Sequence, residues 1–203
     1  KNLQIIFATK YGNIRRNQLS DFTNIRQNGK IAMKLNENDE LVSVIPCGEK
    51  DNILLATRLG KAIRFDVHDV RVFVGRGSSG VRGIRLKPND FVVSMSLIPD
   101  LEKRFILSVT ENGFGKRTPV EDYRMTNRGG QGVANIECST RNGPVVASYV
   151  ASEEDQIMLV TNSGKLIRIR VHGGEGDSIR VASRKTQGVR LFDVDEGEKV
   201  VSV

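Results

Sequence analysis

Apolar residues along this chain come in short runs that alternate with polar ones on a period of two, and the runs themselves return in the same order about every 50 residues. The first run, Leu3-Gln4-Ile5-Ile6-Phe7-Ala8-Thr9, breaks at Gly12 and resumes as Asn13-Ile14-Arg15-Arg16, which predicts a β-hairpin. The figure is repeated by residues 53–57 with Gly60, 105–110 with Gly113, and 157–161 with Gly164. Three residues before each glycine stands a threonine: Thr9, Thr57, Thr110 and Thr161. Four residues after it stands an arginine: Arg16, Arg64, Arg117 and Arg168.

A second figure follows each hairpin. A glycine-rich, basic corner runs into an apolar alternation, seen most fully in Arg76-Gly77-Ser78-Ser79-Gly80-Val81-Arg82-Gly83-Ile84-Arg85-Leu86 and again around Gly29, Gly132 and Gly188. The fourth residue after the corner glycine is Met33, Ile84, Ile136 or Phe192, and the sixth is Leu35, Leu86, Cys138 or Val194. A step of two returns a side chain to the same sheet face, so these pairs predict the core face of one recurring strand. Each copy closes with an acidic turn and a further strand, in residues 40–44, 91–95, 144–148 and 199–203. The expectation is an all-β, propeller-like chain of four repeats, 1–50, 51–103, 104–154 and 155–203, with about four strands in each. Between hairpin and corner lies a variable loop, longest where His172-Gly173-Gly174-Glu175-Gly176-Asp177 is inserted.

Composition narrows the class. With 203 residues, 38% hydrophobic, the chain is long enough to bury a sizeable core, and no apolar run approaches the roughly 18 to 20 residues of a membrane-spanning helix. Lys1-Asn2-Leu3-Gln4 lacks a signal-peptide profile and falls inside the repeating pattern, which points to an N-terminus further upstream. Cys47 and Cys138 have no Cys-x-x-Cys spacing and read as reduced thiols of a cytoplasmic protein, while His68 and His172 read as solvent-facing. The net charge is +7, and the bases gather in the glycine corners and the strands that feed them while the acids gather in turns. That sorting suggests an anionic polymer as partner.

The period alone has several owners. WD-type blades need a tryptophan this chain lacks, and kelch blades need paired glycines and aromatics in every repeat, which this chain, only 5% aromatic, does not supply. Gly113-Phe114-Gly115-Lys116-Arg117-Thr118-Pro119, Gly80-Val81-Arg82-Gly83-Ile84-Arg85-Leu86 and Ser183-Arg184-Lys185-Thr186-Gln187-Gly188-Val189 together resemble the C-terminal domain of the A subunit of bacterial DNA gyrase, and the resemblance covers all four repeats. It implies a β-pinwheel, in which neighbouring blades exchange a strand, with duplex DNA bent around a basic rim. The family's gyrase box, Gln-Arg-Arg-Gly-Gly-x-Gly, has no full copy here; the nearest match, Thr126-Asn127-Arg128-Gly129-Gly130-Gln131-Gly132, keeps only its Arg-Gly-Gly-x-Gly core.

Glycine corners allow backbone N–H groups to approach phosphates, and flanking bases supply charge. The candidate DNA contacts are therefore Arg16, Arg26, Lys30, Arg64, Arg76, Arg82, Lys116, Arg117, Arg128, Arg168, Arg184 and Lys185. Bending a duplex by 40 to 90° costs on the order of 1 to 6 kcal/mol, so the contacts must be spread over several repeats. Catalysis is not expected. Tyr11, Tyr123 and Tyr149 stand in contexts unlike the family's catalytic motif, and no phosphate-binding loop for ATP is present. The resemblance implies no cofactor in this chain, with ATP and Mg used elsewhere in the holoenzyme. As partners it implies double-stranded DNA, the gyrase B subunit, and the remainder of gyrase A. Two alternatives stand beside it: the matching domain of topoisomerase IV, against which the complete last repeat argues, and a propeller-type module that binds proteins.

Overall fold

In the computed structural model, which describes residues 3–25, 27–99, 104–174 and 178–203, fifteen strands follow one another in the chain. They are β1 (Gln4–Thr9), β2 (Asn13–Gln18), β3 (Leu41–Cys47), β4 (Asn52–Thr57), β5 (Lys61–Asp66), β6 (Val81–Arg82), β7 (Val92–Ile98), β8 (Phe105–Thr110), β9 (Phe114–Pro119), β10 (Val133–Ala134), β11 (Val145–Ala151), β12 (Gln156–Thr161), β13 (Leu166–Arg170), β14 (Val189–Arg190) and β15 (Val200–Ser202). Three single turns of 3-10 helix interrupt them, and among the described residues there is no α-helix and no helix long and apolar enough to cross a membrane. The second half of the inserted loop expected in the last repeat, residues 175–177, lies outside the described residues.

All four predicted hairpins form, β1–β2, β4–β5, β8–β9 and β12–β13, each antiparallel. The recurring threonine is part of the turn: at Thr9, Thr57 and Thr161 its hydroxyl accepts the N–H of the residue four on, each at 3.2 Å, and at Thr110 it donates to the Phe114 carbonyl at 3.3 Å. The closing strand of each repeat pairs on the other side of the first hairpin strand, giving the orders β3-β1-β2, β7-β4-β5, β11-β8-β9 and β15-β12-β13. Strands β3, β7, β11 and β15 pack in succession and form the inner layer, so β2, β5, β9 and β13 face outward.

The exchange that the resemblance implies is present, while the corner strand is shorter than its alternation suggests. The strand after the corner glycine is only two residues long, and it belongs to the sheet of the preceding repeat: β6 joins β2, β10 joins β5 and β14 joins β9. Three sheets thus acquire a fourth strand by exchange, while the fourth sheet shows three among the described residues. The first corner forms no strand, and its Leu35 is exposed rather than core; Cys138 is half-buried. The apolar residue four beyond the corner glycine behaves as expected at Met33, Ile84 and Ile136, which are buried.

Exchange explains three of the four glycines in each set. At Gly60, the hairpin glycine, φ is +80°, and a Cβ would lie 2.1 Å from the Ile136 carbonyl oxygen of the incoming strand. Its own carbonyl accepts the N–H groups of Asn135 at 2.8 Å and Ile136 at 3.4 Å. At Gly132, the corner glycine, a Cβ would lie 2.3 Å from the Ala62 carbonyl oxygen of the receiving hairpin. The two backbones approach too closely for any side chain at either place.

Candidate nucleic-acid interface

The outer edge of each exchanged sheet is covered by the loop that precedes the donated strand. Val72, Met125 and Val181 form isolated parallel bridges to Arg16, Arg64 and Arg117. One residue later the loop donates back, Phe73 N to Arg16 O at 2.8 Å, Thr126 N to Arg64 O at 2.9 Å and Ala182 N to Arg117 O at 2.9 Å. One residue before each bridge stands an arginine, Arg71, Arg124 or Arg180, and all three are exposed. The residue before that, Val70, Tyr123 or Ile179, is buried and pins the loop from below. The fold therefore presents one arginine at the same backbone position on the outer edge of three successive blades.

Sequence reasoning missed this row. Arg71 lies nine residues before its corner glycine, Arg124 and Arg180 eight, so spacing from the glycine hides the equivalence. The usable signal is a buried apolar residue, an arginine and a second apolar residue: Val70-Arg71-Val72, Tyr123-Arg124-Met125 and Ile179-Arg180-Val181.

The predicted corner arginines turn out to be ties between blades. Arg76, Arg128 and Arg184 each stand four residues before a corner glycine, and each donates a guanidinium N–H to the carbonyl two residues beyond the previous corner glycine: Ile31, Arg82 at 3.0 Å and Ala134 at 2.9 Å. Arg128 also reaches the Asp69 carbonyl through Nε at 2.7 Å. A guanidinium carries five N–H groups, so these half-buried side chains keep donors for an outside acceptor. Arg82 and Lys185 are exposed on the same corners. Lys30 donates through Nζ to the Asp21 carbonyl at 2.6 Å and, with Arg76, lines an open cleft of about 620 Å³ that also takes in Asn24, Asn28 and Ile31. Arg26 lies outside the described residues.

The hairpin bases are placed differently. Arg16 and Arg117 are buried under the covering loop; Arg117 donates Nε to the Ile179 carbonyl at 2.7 Å and Nη1 to Glu153 at 3.2 Å. Arg64 donates to the carbonyls of Val120 and Tyr123 at 3.2 and 3.4 Å. Arg64 and Arg117 hold loops through their side chains in the free chain, whereas Arg16 meets its loop through its backbone and its buried Nε and Nη1 have no hydrogen-bond partner among the described residues. Arg168, on the uncovered β13, is exposed and donates to Gln156.

Lys116 lies deepest, with no exposed surface, and its ammonium donates to the Ser183 carbonyl in the loop that carries Arg184 and Lys185. Burial, and then the neighbouring Arg184 charge, pull its pKa down from the ordinary 10.5 to about 8. Between pH 8 and 10.5 the unfolded chain holds this proton and the folded chain has released it, so the stability due to this group rises with pH across that window; below pH 8 the full cost of burying the charge, about 3 kcal/mol, is present. Lys116→Met is expected to raise the urea midpoint at pH 7, after loss of one hydrogen bond, and the gap to the parent should close toward pH 10.5. A midpoint difference that does not change with pH would contradict this.

One acid in each of three closing turns is consumed by the fold. The Asp90 carboxylate accepts the Thr57 hydroxyl at 2.8 Å and Leu59 N at 2.9 Å, and the Asp39 carboxylate accepts Tyr11 N at 3.0 Å. Glu198 accepts the Thr161 hydroxyl at 2.6 Å and Lys165 Nζ at 2.8 Å. These three acids are satisfied internally, while Arg71, Arg124 and Arg180 are exposed. Tyr123 is buried with its hydroxyl on Asn135 Oδ1 at 2.6 Å. Among the described residues no group of three or more His, Cys, Asp and Glu side chains is arranged to hold a metal ion.

Four sheets in succession, tied by donated strands along an arginine-bearing outer edge, define a strand-exchanging, propeller-like domain. Residues 4–48, 51–99, 104–143 and 155–203 match the family described as DNA gyrase C-terminal domain, beta-propeller, and the chain belongs to that family. It is 42% identical to the DNA gyrase A protein of Rickettsia felis, with all of the chain aligned to 27% of that protein, and 40% identical to its counterpart in Staphylococcus epidermidis, with 98% of the chain aligned to 22%. The chain thus spans about a quarter of the length of these relatives. Among solved structures, the C-terminal domain of DNA topoisomerase IV superposes with a TM-score of 0.90 at 26% identity, covering 100% of this chain and 61% of that one. The DNA gyrase A C-terminal domain superposes with a TM-score of 0.86 at 28% identity, covering 99% and 64%.

Proposed function

We propose that this chain binds duplex DNA along its outer edge without regard to sequence and bends it, serving a gyrase as the wrapping element that directs negative supercoiling. The row formed by Arg71, Arg124 and Arg180 carries this reading, because three exposed guanidiniums at equivalent points of three blades match a polyanion that runs past each blade in turn. Arg82 and Lys185 add charge on the corners. Arg76, Arg128 and Arg184 contribute chiefly by fixing one corner to the next, with their spare N–H groups turned to phosphate.

The gyrase B subunit, together with the remainder of gyrase A, is its partner in this proposal. Strand cleavage and ATP hydrolysis with Mg belong to those parts, and the setting is the bacterial cytoplasm. The likeness to the topoisomerase IV domain leaves room for a chain that binds DNA without directing a wrap of one hand. Titration of duplex DNA at increasing salt tests the common core of both readings: affinity should fall steeply, as counterions are released from each neutralised phosphate. Affinity that is indifferent to salt would favour a protein-binding edge.

A further inference from the structure

The loop over the first sheet has one residue more than its counterparts, and the extra residue is Val74. Two fixed points show this. Phe73, Thr126 and Ala182 are equivalent, since each donates its N–H to the arginine carbonyl beneath it. Gly75 and Ser183 are equivalent, since their carbonyls accept from Arg15 and Lys116, the bases three residues after hairpin glycines Gly12 and Gly113. Ala182 and Ser183 are adjacent, whereas Phe73 and Gly75 enclose Val74, which is fully exposed at 103%.

An apolar side chain pushed wholly into water at a loop tip would ordinarily belong to a loose loop. This one is held. Arg15, 1% exposed, donates to Ser78 Oγ at 2.9 Å as well as to the Gly75 carbonyl. Asn17 Nδ2 donates to the carbonyls on both sides of Val74, Phe73 at 3.1 Å and Gly75 at 2.9 Å. The Phe73 ring lies against two guanidiniums, Arg15 at 4.9 Å and Arg71 at 4.3 Å. A buried arginine and a buried asparagine thus fix the backbone under a bare valine.

The surroundings select the partner. From residue 70 to 89 the chain has no acid and carries Arg71, Arg76, Arg82, Arg85 and Lys87. One valine offers too little apolar area to dock a protein, but an apolar tip between cations suits the space between two stacked bases flanked by phosphates.

We infer that Val74 is a wedge that enters a base step of the bound duplex, adding a local kink to the smoother bend produced by the arginine row. This rests on the duplex-binding reading above. Unstacking is cheapest at pyrimidine–purine steps, so the wedge selects those steps within otherwise sequence-independent binding.

The test is fluorescence of a short duplex that carries 2-aminopurine at TA steps, which brightens when the base is unstacked. The chain should brighten it several-fold. Val74→Ser should return the signal to that of free duplex, and Val74→Phe should raise it, while both keep the salt dependence of binding unchanged. Binding without brightening, or brightening that survives Val74→Ser, overturns the wedge and leaves the arginine row standing. A chain that fails to bind the duplex overturns the binding reading, and the wedge with it.

Discussion

Alanine at Arg71, Arg124 and Arg180 together is expected to weaken duplex binding by on the order of 100-fold at low salt, and to flatten the plot of log affinity against log salt by nearly three units. Each arginine is exposed at the same backbone position of its blade, so on the proposed path each should face its own stretch of phosphates. The contacts are separate and their losses should add. The fold should survive. These residues hold their loops by backbone bonds and by the buried Val70, Tyr123 and Ile179, and alanine removes the stacking of Arg71 on Phe73, worth about 0.5 to 1 kcal/mol at an exposed site. Binding isotherms at several salt concentrations, with circular dichroism to check folding, decide it. Unchanged affinity in a folded triple variant would move the DNA path off this edge.

The second large effect is on stability. Gly60→Ala should destabilise the chain by about 3 to 5 kcal/mol and lower its melting temperature by roughly 10 °C or more. Its Cβ would meet the Ile136 carbonyl oxygen at 2.1 Å, and that oxygen is backbone two residues beyond the donated β10, so relief means displacing the incoming segment from the second sheet. The left-handed conformation adds about 1 to 2 kcal/mol. Gly164→Ala provides the control: its φ of +85° carries the same conformational cost, yet nothing stands within 4 Å of the added Cβ. Thermal unfolding of the two variants should differ by several degrees. Equal losses would mean that close approach of the exchanged strand contributes little.

The hairpins were legible in the sequence because a period-two alternation, a threonine and a glycine at fixed spacing each have one local cause. The strand after the corner glycine was legible from its alternation, but its donation to the neighbouring sheet was implied by the family resemblance alone, since alternation records which face is apolar and not which sheet it joins. Regular spacing made Arg16 and Arg117 candidate contacts, and that spacing marks where the covering loop pairs with the hairpin strand, by backbone at Arg16 and also by side chain at Arg117. Arg128 and Arg184 stood out in glycine-rich corners, where nothing local reveals that the acceptor is the carbonyl of a residue about 50 positions earlier. The row of Arg71, Arg124 and Arg180 was hidden by the single added residue at Val74, which shifts one member out of register with the others.

The basic outer edge is tested most directly by measuring the affinity of the unmodified chain for a duplex of arbitrary sequence across a graded series of salt concentrations. A linear fall of log affinity with log salt, with a slope of about −2.7 or steeper, is the result expected from at least one phosphate contact on each of three blades. A flat line would contradict it.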